Sequence, residues 1–207
     1  MRLDRRTALI ALGTGALLAP AAAARAQGAD PRMGERAAGK ADAPVTVLEF
    51  FSLTCSHCAA FHRDTWPRVK RDLVEAGTVR MVWRDFPLDR TGLLAAVVAR
   101  SLPAERYEGF ITTLLTNQDR WAFRPDPVAE LGRLAALAGM GRPQFEAAAQ
   151  DEALARAILN SRLDAEREFQ VQATPTFAFQ AGGRSRAQPG NIPFETFAQL
   201  AEEVRKG

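Results

Sequence analysis

Cys55 and Cys58 are the two cysteines of this 207-residue chain, and two residues separate them. Thiols at this spacing can form a disulfide and open it again, so the pair can exchange two electrons. As a structural crosslink the pair would close a ring of about four residues, which the chain-entropy model credits with only roughly 2 kcal/mol. A chain of this length can bury a sizeable core without that help. The spacing therefore indicates redox chemistry.

His57 lies between the two cysteines. Its imidazole can carry a positive charge or donate a hydrogen bond, and both stabilise a neighbouring thiolate. We therefore expect His57 to lower the pKa of Cys55. Each pKa unit corresponds to about 1.4 kcal/mol, which equals about 30 mV for a two-electron couple. Stabilising the thiolate in this way makes the disulfide a stronger oxidant.

His62 offers a third potential metal ligand beside the two cysteines. A structural zinc site needs four ligands, and the other histidine, His57, is badly placed between the cysteines to complete one. Covalent haem attachment would require a histidine where Ala59 stands. We therefore expect no metal ion, and no cofactor other than the Cys55–Cys58 disulfide itself.

The cysteines lie between a predicted strand and a predicted helix. Residues 45–51 are a nearly continuous run of apolar, β-branched and aromatic side chains, which is typical of a strand buried on both faces. Residues 58–76 have the apolar spacing of a helix, which Pro67 is expected to kink. Free N–H groups at the start of such a helix favour an anion. Cys55 is therefore the predicted nucleophile, and Cys58, one turn further along, is the predicted resolving thiol.

A second strand and a group of helices follow. Residues 78–83 alternate apolar and polar side chains, so the order strand, helix, strand predicts a parallel βαβ unit with a right-handed crossover. From about residue 91 to 169 the patterns are helical, and they predict four or five helices. Two of these helices have start signals, at Asp126 and Asp151.

The last part of the chain predicts a β-hairpin and a helix. Residues 176–180 and 184–187 have strand patterns on either side of two glycines, a typical hairpin signal. Together, these predicted strands and helices indicate an α/β fold of βαβ and ββα halves with an all-helical insertion between them. One domain over residues 44–207 accounts for all of these elements.

The first 26 residues predict a cleaved secretory signal peptide. Arginines precede an apolar run, and Ala24, Arg25 and Ala26 form a small-x-small cleavage site. A retained anchor is the alternative, but glycines, a proline and many alanines suit it poorly to the roughly 20 apolar residues that span a bilayer. The pair Arg5-Arg6 is also compatible with twin-arginine export. Residues 27–43, which are small and polar, predict a tether.

Removing that leader changes the charge of the chain. Its formal net charge of +3 disappears, because residues 27–207 contain 23 basic and 23 acidic side chains. A neutral chain has no general attraction to nucleic acid or to an acidic membrane. We therefore expect no nucleic-acid partner and, since export leads to an oxidising compartment, a periplasmic location.

Three segments resemble DsbA-type proteins of the thioredoxin fold. Residues 49–58, Glu-Phe-Phe-Ser-Leu-Thr-Cys-Ser-His-Cys, followed by Phe61-His62, resemble the active-site segment of that family. Residues 84–88, Arg-Asp-Phe-Pro-Leu, resemble the segment after its second strand. Residues 173–177, Ala-Thr-Pro-Thr-Phe, resemble its cis-proline loop. The resemblance covers nearly all of residues 43–206.

The resemblance implies roles for three further residues. Pro175 matches the proline whose preceding peptide bond is cis, so Thr174 is expected to present its backbone beside the disulfide for pairing with a substrate chain. Glu49 matches the buried acid that lies beneath the resolving cysteine and helps to move its proton. The alternative for Glu49 is a solvated position on an edge strand, because an isolated charge is costly to bury.

The resemblance also implies an activity and its partners. It implies a monomeric oxidase that donates the Cys55–Cys58 disulfide to unfolded exported polypeptides with cysteine pairs, and a DsbB-like membrane partner that reoxidises it. Two departures leave an isomerase or reductase open: Ser56 precedes His57 where strong oxidants have proline, and Thr174 resembles the residue of isomerases, although other DsbA-like branches also carry it. Only about 18 residues separate Gln27 from the first predicted strand, too few for the dimerisation domain of periplasmic isomerases. A metal-binding or thiol-dependent chaperone is the non-enzymatic alternative.

Overall fold

The computed structural model describes residues 30–207. The predicted leader at residues 1–26 and the first residues of the predicted tether lie outside that part of the chain. Within residues 30–207, no helix is both long enough and apolar enough to cross a bilayer.

A five-stranded mixed sheet forms the centre of the fold. Its strands are β1 (Arg36–Ala38), β2 (Val45–Phe51), β3 (Val79–Asp85), β4 (Thr176–Ala181) and β5 (Arg184–Pro189). They lie side by side in the order β1-β3-β2-β4-β5, with β2 and β3 parallel and the other neighbours antiparallel. This topology confirms the predicted α/β thioredoxin fold with its βαβ and ββα halves.

The helix that follows β2 contains two wide turns. It begins with α1 (Ser56–Ala60), passes through a π-helical turn at Phe61–Thr65 into α2 (Trp66–Val69), and ends in a second π-helical turn at Lys70–Val74. Pro67 lacks the N–H that a regular α-helix would use, and a π turn immediately before it accommodates that loss. The expected disturbance at Pro67 therefore takes the form of a widened turn.

The helical insertion lies between β3 and β4. It consists of α3 (Arg90–Arg100), α4 (Ala104–Thr116), α5 (Gln118–Trp121), α6 (Pro127–Leu137), α7 (Arg142–Ala149) and α8 (Glu152–Glu168). Six helices occur where four or five were predicted, because α5 is a four-residue helix whose single turn leaves little periodicity. Both predicted caps are confirmed: Asp126 accepts a hydrogen bond from Ala129 N–H, and Asp151 accepts one from Leu154 N–H. The chain ends in α9 (Phe194–Lys206).

Apolar side chains cover both faces of the sheet. One face joins alternate β2 residues such as Val47 and Phe51 to Cys58, Phe61 and α9 in the larger core. The opposite face joins Leu48 and its neighbours to a smaller cluster that includes part of α8. Burial on both faces explains why β2 is an almost continuous apolar run.

Residues 36–38 are a strand, which corrects the predicted tether over residues 27–43. This strand pairs antiparallel with β3, with Arg36 opposite Trp83. The buried guanidinium of Arg100, in α3, holds the preceding residues by donating to the backbone oxygens of Arg32 at 2.9 Å and Gly34 at 3.2 Å. These partners are more than sixty residues away in sequence. The small and polar composition therefore gave no sign of the sheet pairing.

Candidate active site

Cys55 occupies the residue before α1, where the chain turns from sheet to helix. Its backbone is extended, with φ −81° and ψ 121°, and its carbonyl accepts the first helical hydrogen bond from Ala59 N–H. The free N–H groups of the first turn therefore point toward its sulfur. Cys58 lies inside that turn and is fully buried, while Cys55 remains slightly exposed. Both are present as free thiols.

The loop before Cys55 is held by the helical insertion. The side-chain amide of Gln118, in α5, donates hydrogen bonds to the backbone oxygens of Leu53 at 2.8 Å and Cys55 at 3.0 Å. Gln118 is itself buried. Sequence reasoning missed this residue, because no local signal distinguishes a glutamine that reaches another segment from one in solvent.

A second connection joins the same loop to α3. Thr54 Oγ1 donates to Asp89 Oδ2 at 2.6 Å, and Asp89 Oδ1 accepts from Gly92 N–H at 2.7 Å as the cap of α3. A methyl group at Gly92 would lie 3.0 Å from Thr54 Oγ1, so the helix approaches the loop closely. Asp89 is a residue type that often begins a helix, but sequence analysis did not identify it as the start of α3. The hydrogen bond between Asp89 and Thr54 could be identified only from the folded structure.

The loop before β4 places Thr174 against Cys55. The Thr174–Pro175 peptide bond is cis, and Cys55 Sγ donates to the backbone oxygen of Thr174 at 3.2 Å. The hydroxyl of Thr174 is buried and has no hydrogen-bond partner among residues 30–207. A thiolate at Cys55 would be an acceptor for it. The two residues that the resemblance placed beside the cysteines thus lie there.

The two thiols have opposite acidities. The pKa of Cys55 is lowered to about 5, chiefly by a hydrogen bond from the Cys58 thiol and against the effect of burial; hydrogen bonds from the Thr174 side chain and the backbone N–H groups of Cys58 and His57 add to it. Burial raises the pKa of Cys58 well above its usual value, and the neighbouring Cys55 and the charge of Glu49 raise it further. Cys55 is therefore a thiolate at neutral pH, and Cys58 is a thiol.

His57 contributes to the acidity of Cys55 through its backbone, and the predicted effect of its imidazole stays a prediction. Its side chain is exposed, and its residue lowers the pKa of Cys55 through the backbone N–H. A backbone N–H in the first turn of a helix is fixed in place, whereas an exposed imidazole is hydrated and free to turn away. The helix start thus makes a fixed contribution to the low pKa of Cys55 that does not depend on the imidazole.

Glu49 is fully buried, so it is not a solvated residue of an edge strand. Its carboxylate lies against the ring of His62, with Nε2 at 3.1 Å from Oε1 and 3.2 Å from Oε2. His62 is buried as well. Sequence analysis considered His62 only as a metal ligand. Over residues 30–207, no three His, Cys, Asp or Glu side chains are grouped so as to hold a metal ion.

Comparison with known proteins agrees with this geometry. A family model described as thioredoxin matches residues 32–198. The crystal structure of alpha-DsbA1 from Wolbachia pipientis superimposes with a TM-score of 0.77 at 26% identity, over 84% of this chain and 92% of that one. The chain is a DsbA-like member of the thioredoxin superfamily. Oxidised BdbD from Bacillus subtilis shares the fold, with a TM-score of 0.72 at 23% identity over 84% of this chain and 94% of that one.

Curated relatives of this DsbA-like chain have names from disulfide chemistry. A Rickettsia conorii protein named as a candidate protein-disulfide oxidoreductase is 24% identical over 80% of this chain and 58% of its own length. Disulfide bond formation protein D of Bacillus subtilis is 27% identical over 69% of this chain and 66% of its own. The chain spans about three fifths of the length of the Rickettsia relatives that it matches.

Proposed function

We propose that this DsbA-like chain is a protein thiol–disulfide oxidoreductase that donates its Cys55–Cys58 disulfide to exported polypeptides. The observation that carries the proposal is the contrast between the two thiols, because the pKa of Cys55 is lowered to about 5 while that of buried Cys58 is raised. A stabilised Cys55 thiolate favours the reduced pair, so the disulfide is readily given away. The names of the relatives support the same chemistry.

The proposed reaction proceeds through a mixed disulfide on Cys55. A client thiolate attacks Cys55 Sγ, the Cys55–Cys58 bond breaks, and Cys58 leaves as a thiolate that takes up a proton. A second client thiolate then attacks the client sulfur of the mixed disulfide and releases Cys55 as a thiolate. The client has lost two electrons and gained a disulfide, and the Cys55–Cys58 pair has gained the two electrons. A DsbB-like membrane partner is proposed to reoxidise the pair in the periplasm.

Replacing each cysteine with serine tests this assignment. Cys55→Ser is expected to abolish exchange, because the nucleophile is lost. Cys58→Ser is expected to accumulate mixed disulfides with clients when the purified reduced protein meets client disulfides, because the resolving thiol is absent. Non-reducing electrophoresis after acid quenching measures both. Capture by Cys55→Ser but not by Cys58→Ser would reverse the two roles.

An isomerase is the second candidate, and Thr174 before Pro175 is the observation that favours it. We expect instead a monomer that rapidly oxidises a reduced, unfolded substrate and rescues a scrambled one poorly. Disulfide donors and thiol reductants differ in reduction potential by about 100 mV or more, so the potential of the pair discriminates between them. A stable dimer that reshuffles scrambled disulfides efficiently would contradict the oxidase proposal. Stoichiometric bound metal without exchange activity would favour the chaperone alternative.

A further inference from the structure

Glu49 and His62 form a buried polar pair on the side of the core that holds the resolving thiol. Side chains alternate along β2, so Glu49 points to the same face as Val47 and Phe51, whose cluster contains Cys58. His62 follows Cys58 by four residues on the same helix, so the two side chains are neighbours on its surface. The pair therefore lies next to Cys58.

The geometry of the pair identifies its hydrogen-bonding state. Nε2 of His62 lies within 3.2 Å of both carboxylate oxygens of Glu49, so a single N–H can be shared between them. Nδ1 of His62 is buried and has no partner in the described residues. A proton on Nδ1 would leave an unsatisfied buried N–H, which costs about 1–3 kcal/mol. The arrangement thus fits a neutral ring with its proton on Nε2, donated to a carboxylate.

The surroundings of His62 are aromatic. The rings of Phe51, Phe61 and Trp66 lie with centroids 6.4, 5.7 and 6.1 Å from the imidazole. An isolated carboxylate in such an apolar site would hold its proton, because nothing replaces its hydration. The Nε2–H of His62 supplies the hydrogen bond that lets Glu49 exist there as a carboxylate.

Cys58 needs a proton acceptor in one half of the exchange cycle and a proton donor in the other. When the pair is reoxidised, Cys58 must lose its proton to attack Cys55, yet its pKa is raised by burial. When the disulfide is donated, Cys58 leaves as a buried thiolate and must regain a proton. A carboxylate beside it that can gain and lose one proton meets both needs.

We propose that His62 is a positioning residue for this proton transfer, holding Glu49 as the carboxylate that accepts the Cys58 proton and later returns it. During reoxidation the Cys58 thiol gives its proton to Glu49, its sulfur bonds to Cys55 Sγ, and the bond from Cys55 to the partner breaks. The partner sulfur leaves with that electron pair. The inference rests on the proposed function and adds a residue and a step to it.

The two steps can be measured separately by adding a chromogenic aromatic disulfide to the purified, reduced protein, residues 27–207. Attack by Cys55 releases one aromatic thiol, and attack by Cys58 on the resulting mixed disulfide releases the second. His62→Phe is expected to leave the first phase unchanged and to slow the second about a hundredfold, within the range of general acid–base effects. His62→Gln retains an N–H donor and is expected to recover most of the rate.

Val69→Ala is the matched control, because Val69 is buried in the same helix and its apolar side chain cannot donate a hydrogen bond to Glu49. It is expected to lower stability and leave both phases unchanged. A second phase at the wild-type rate in His62→Phe would overturn the inference. Failure of the wild-type chain to release either thiol would overturn the proposed function instead.

A further pair of variants covers the case in which His62→Phe does not fold. Glu49→Gln is expected to slow the second phase by a similar factor, because an amide cannot accept the proton. His62→Leu, which lacks the N–H donor and should slow the second phase by itself, is expected to slow it no further when added to Glu49→Gln, since the two residues act as one unit. Independent, multiplying effects would contradict the proposed dependence of Glu49 on His62.

Discussion

The Cys55 thiol donates a hydrogen bond of 3.2 Å to the backbone oxygen of Thr174, although 119 residues separate the two. Neither a thiolate nor a disulfide at Cys55 has a proton to donate, so loss of the thiol proton, by ionisation or by oxidation, frees that oxygen. The Thr174 oxygen is then available to the backbone N–H of a client chain. The contact thus links the protonation state of Cys55 to the surface that is proposed to hold a client.

Thr174→Val is expected to raise the pKa of Cys55 by about one unit, because a hydrogen bond to a charged group contributes roughly 1.5–3 kcal/mol. Thiolate absorbance against pH measures it. Stability should be unchanged or slightly higher, since the Thr174 hydroxyl has no partner in the described part of the chain when Cys55 is a thiol. Thr65→Val is the control: it removes a buried hydroxyl that donates to Ile192 and should leave the Cys55 pKa unchanged. The same Cys55 pKa in wild type and Thr174→Val would contradict the proposed stabilisation of the thiolate by the Thr174 hydroxyl.

His57→Ala is expected to change the pKa of Cys55 by less than about half a unit, because the backbone N–H that stabilises the thiolate remains. His57→Pro removes that N–H at a position in the first helical turn where proline is tolerated. The same thiolate titration should therefore show a larger increase for the proline variant. If the pKa of Cys55 rises by a full unit or more in His57→Ala, the imidazole is the main contribution of His57 to that pKa.

The reduced protein is expected to gain stability over the oxidised protein as the pH rises from about 5 toward 8. The pKa of Cys55 is about 5 in the folded state and about 8.5 in an unfolded chain. A lowered folded-state pKa contributes stability that is complete above the unfolded value and is lost as the pH falls through 5. The slope is at most about 1.4 kcal/mol per pH unit. Denaturant unfolding of both forms measures it.

The control for this pH dependence is reduced Cys55→Ser, which has no thiol to titrate at that position. It should lack the increase in stability between pH 5 and 8, whereas Cys58→Ser should retain much of it. A parallel pH dependence of the oxidised and reduced proteins would show that the Cys55 thiolate is not stabilised in the fold.

Gln118→Leu is expected to lower the free energy of unfolding by about 1–3 kcal/mol, because the Leu53 carbonyl loses its side-chain donor and the Cys55 carbonyl keeps only Ala59 N–H. Urea unfolding measures the change. Gln150→Leu, at an exposed position, is the control and should have little effect. A neutral result for Gln118→Leu would mean that water replaces the amide at the active-site loop.

The sequence alone determined the features that depend on neighbours along the chain. The cysteine spacing, the strand over residues 45–51, the glycine hairpin and the caps at Asp126 and Asp151 all follow from local geometry. A helix start can be recognised because a cap and the N–H that it binds are three residues apart. For the same reason the placement of Cys55 before a helix could be predicted, and its role as nucleophile stays a prediction.

Only the tertiary structure decided which distant groups surround the cysteines. Gln118 reaches the active-site loop from the insertion, His62 faces Glu49 from another element, and residues 36–38 pair with β3. A polar side chain has the same identity in the sequence whether it meets solvent or a buried partner. Its partner is selected by the packing of whole elements, and the free energy of that packing is a sum over many contacts that no local pattern contains.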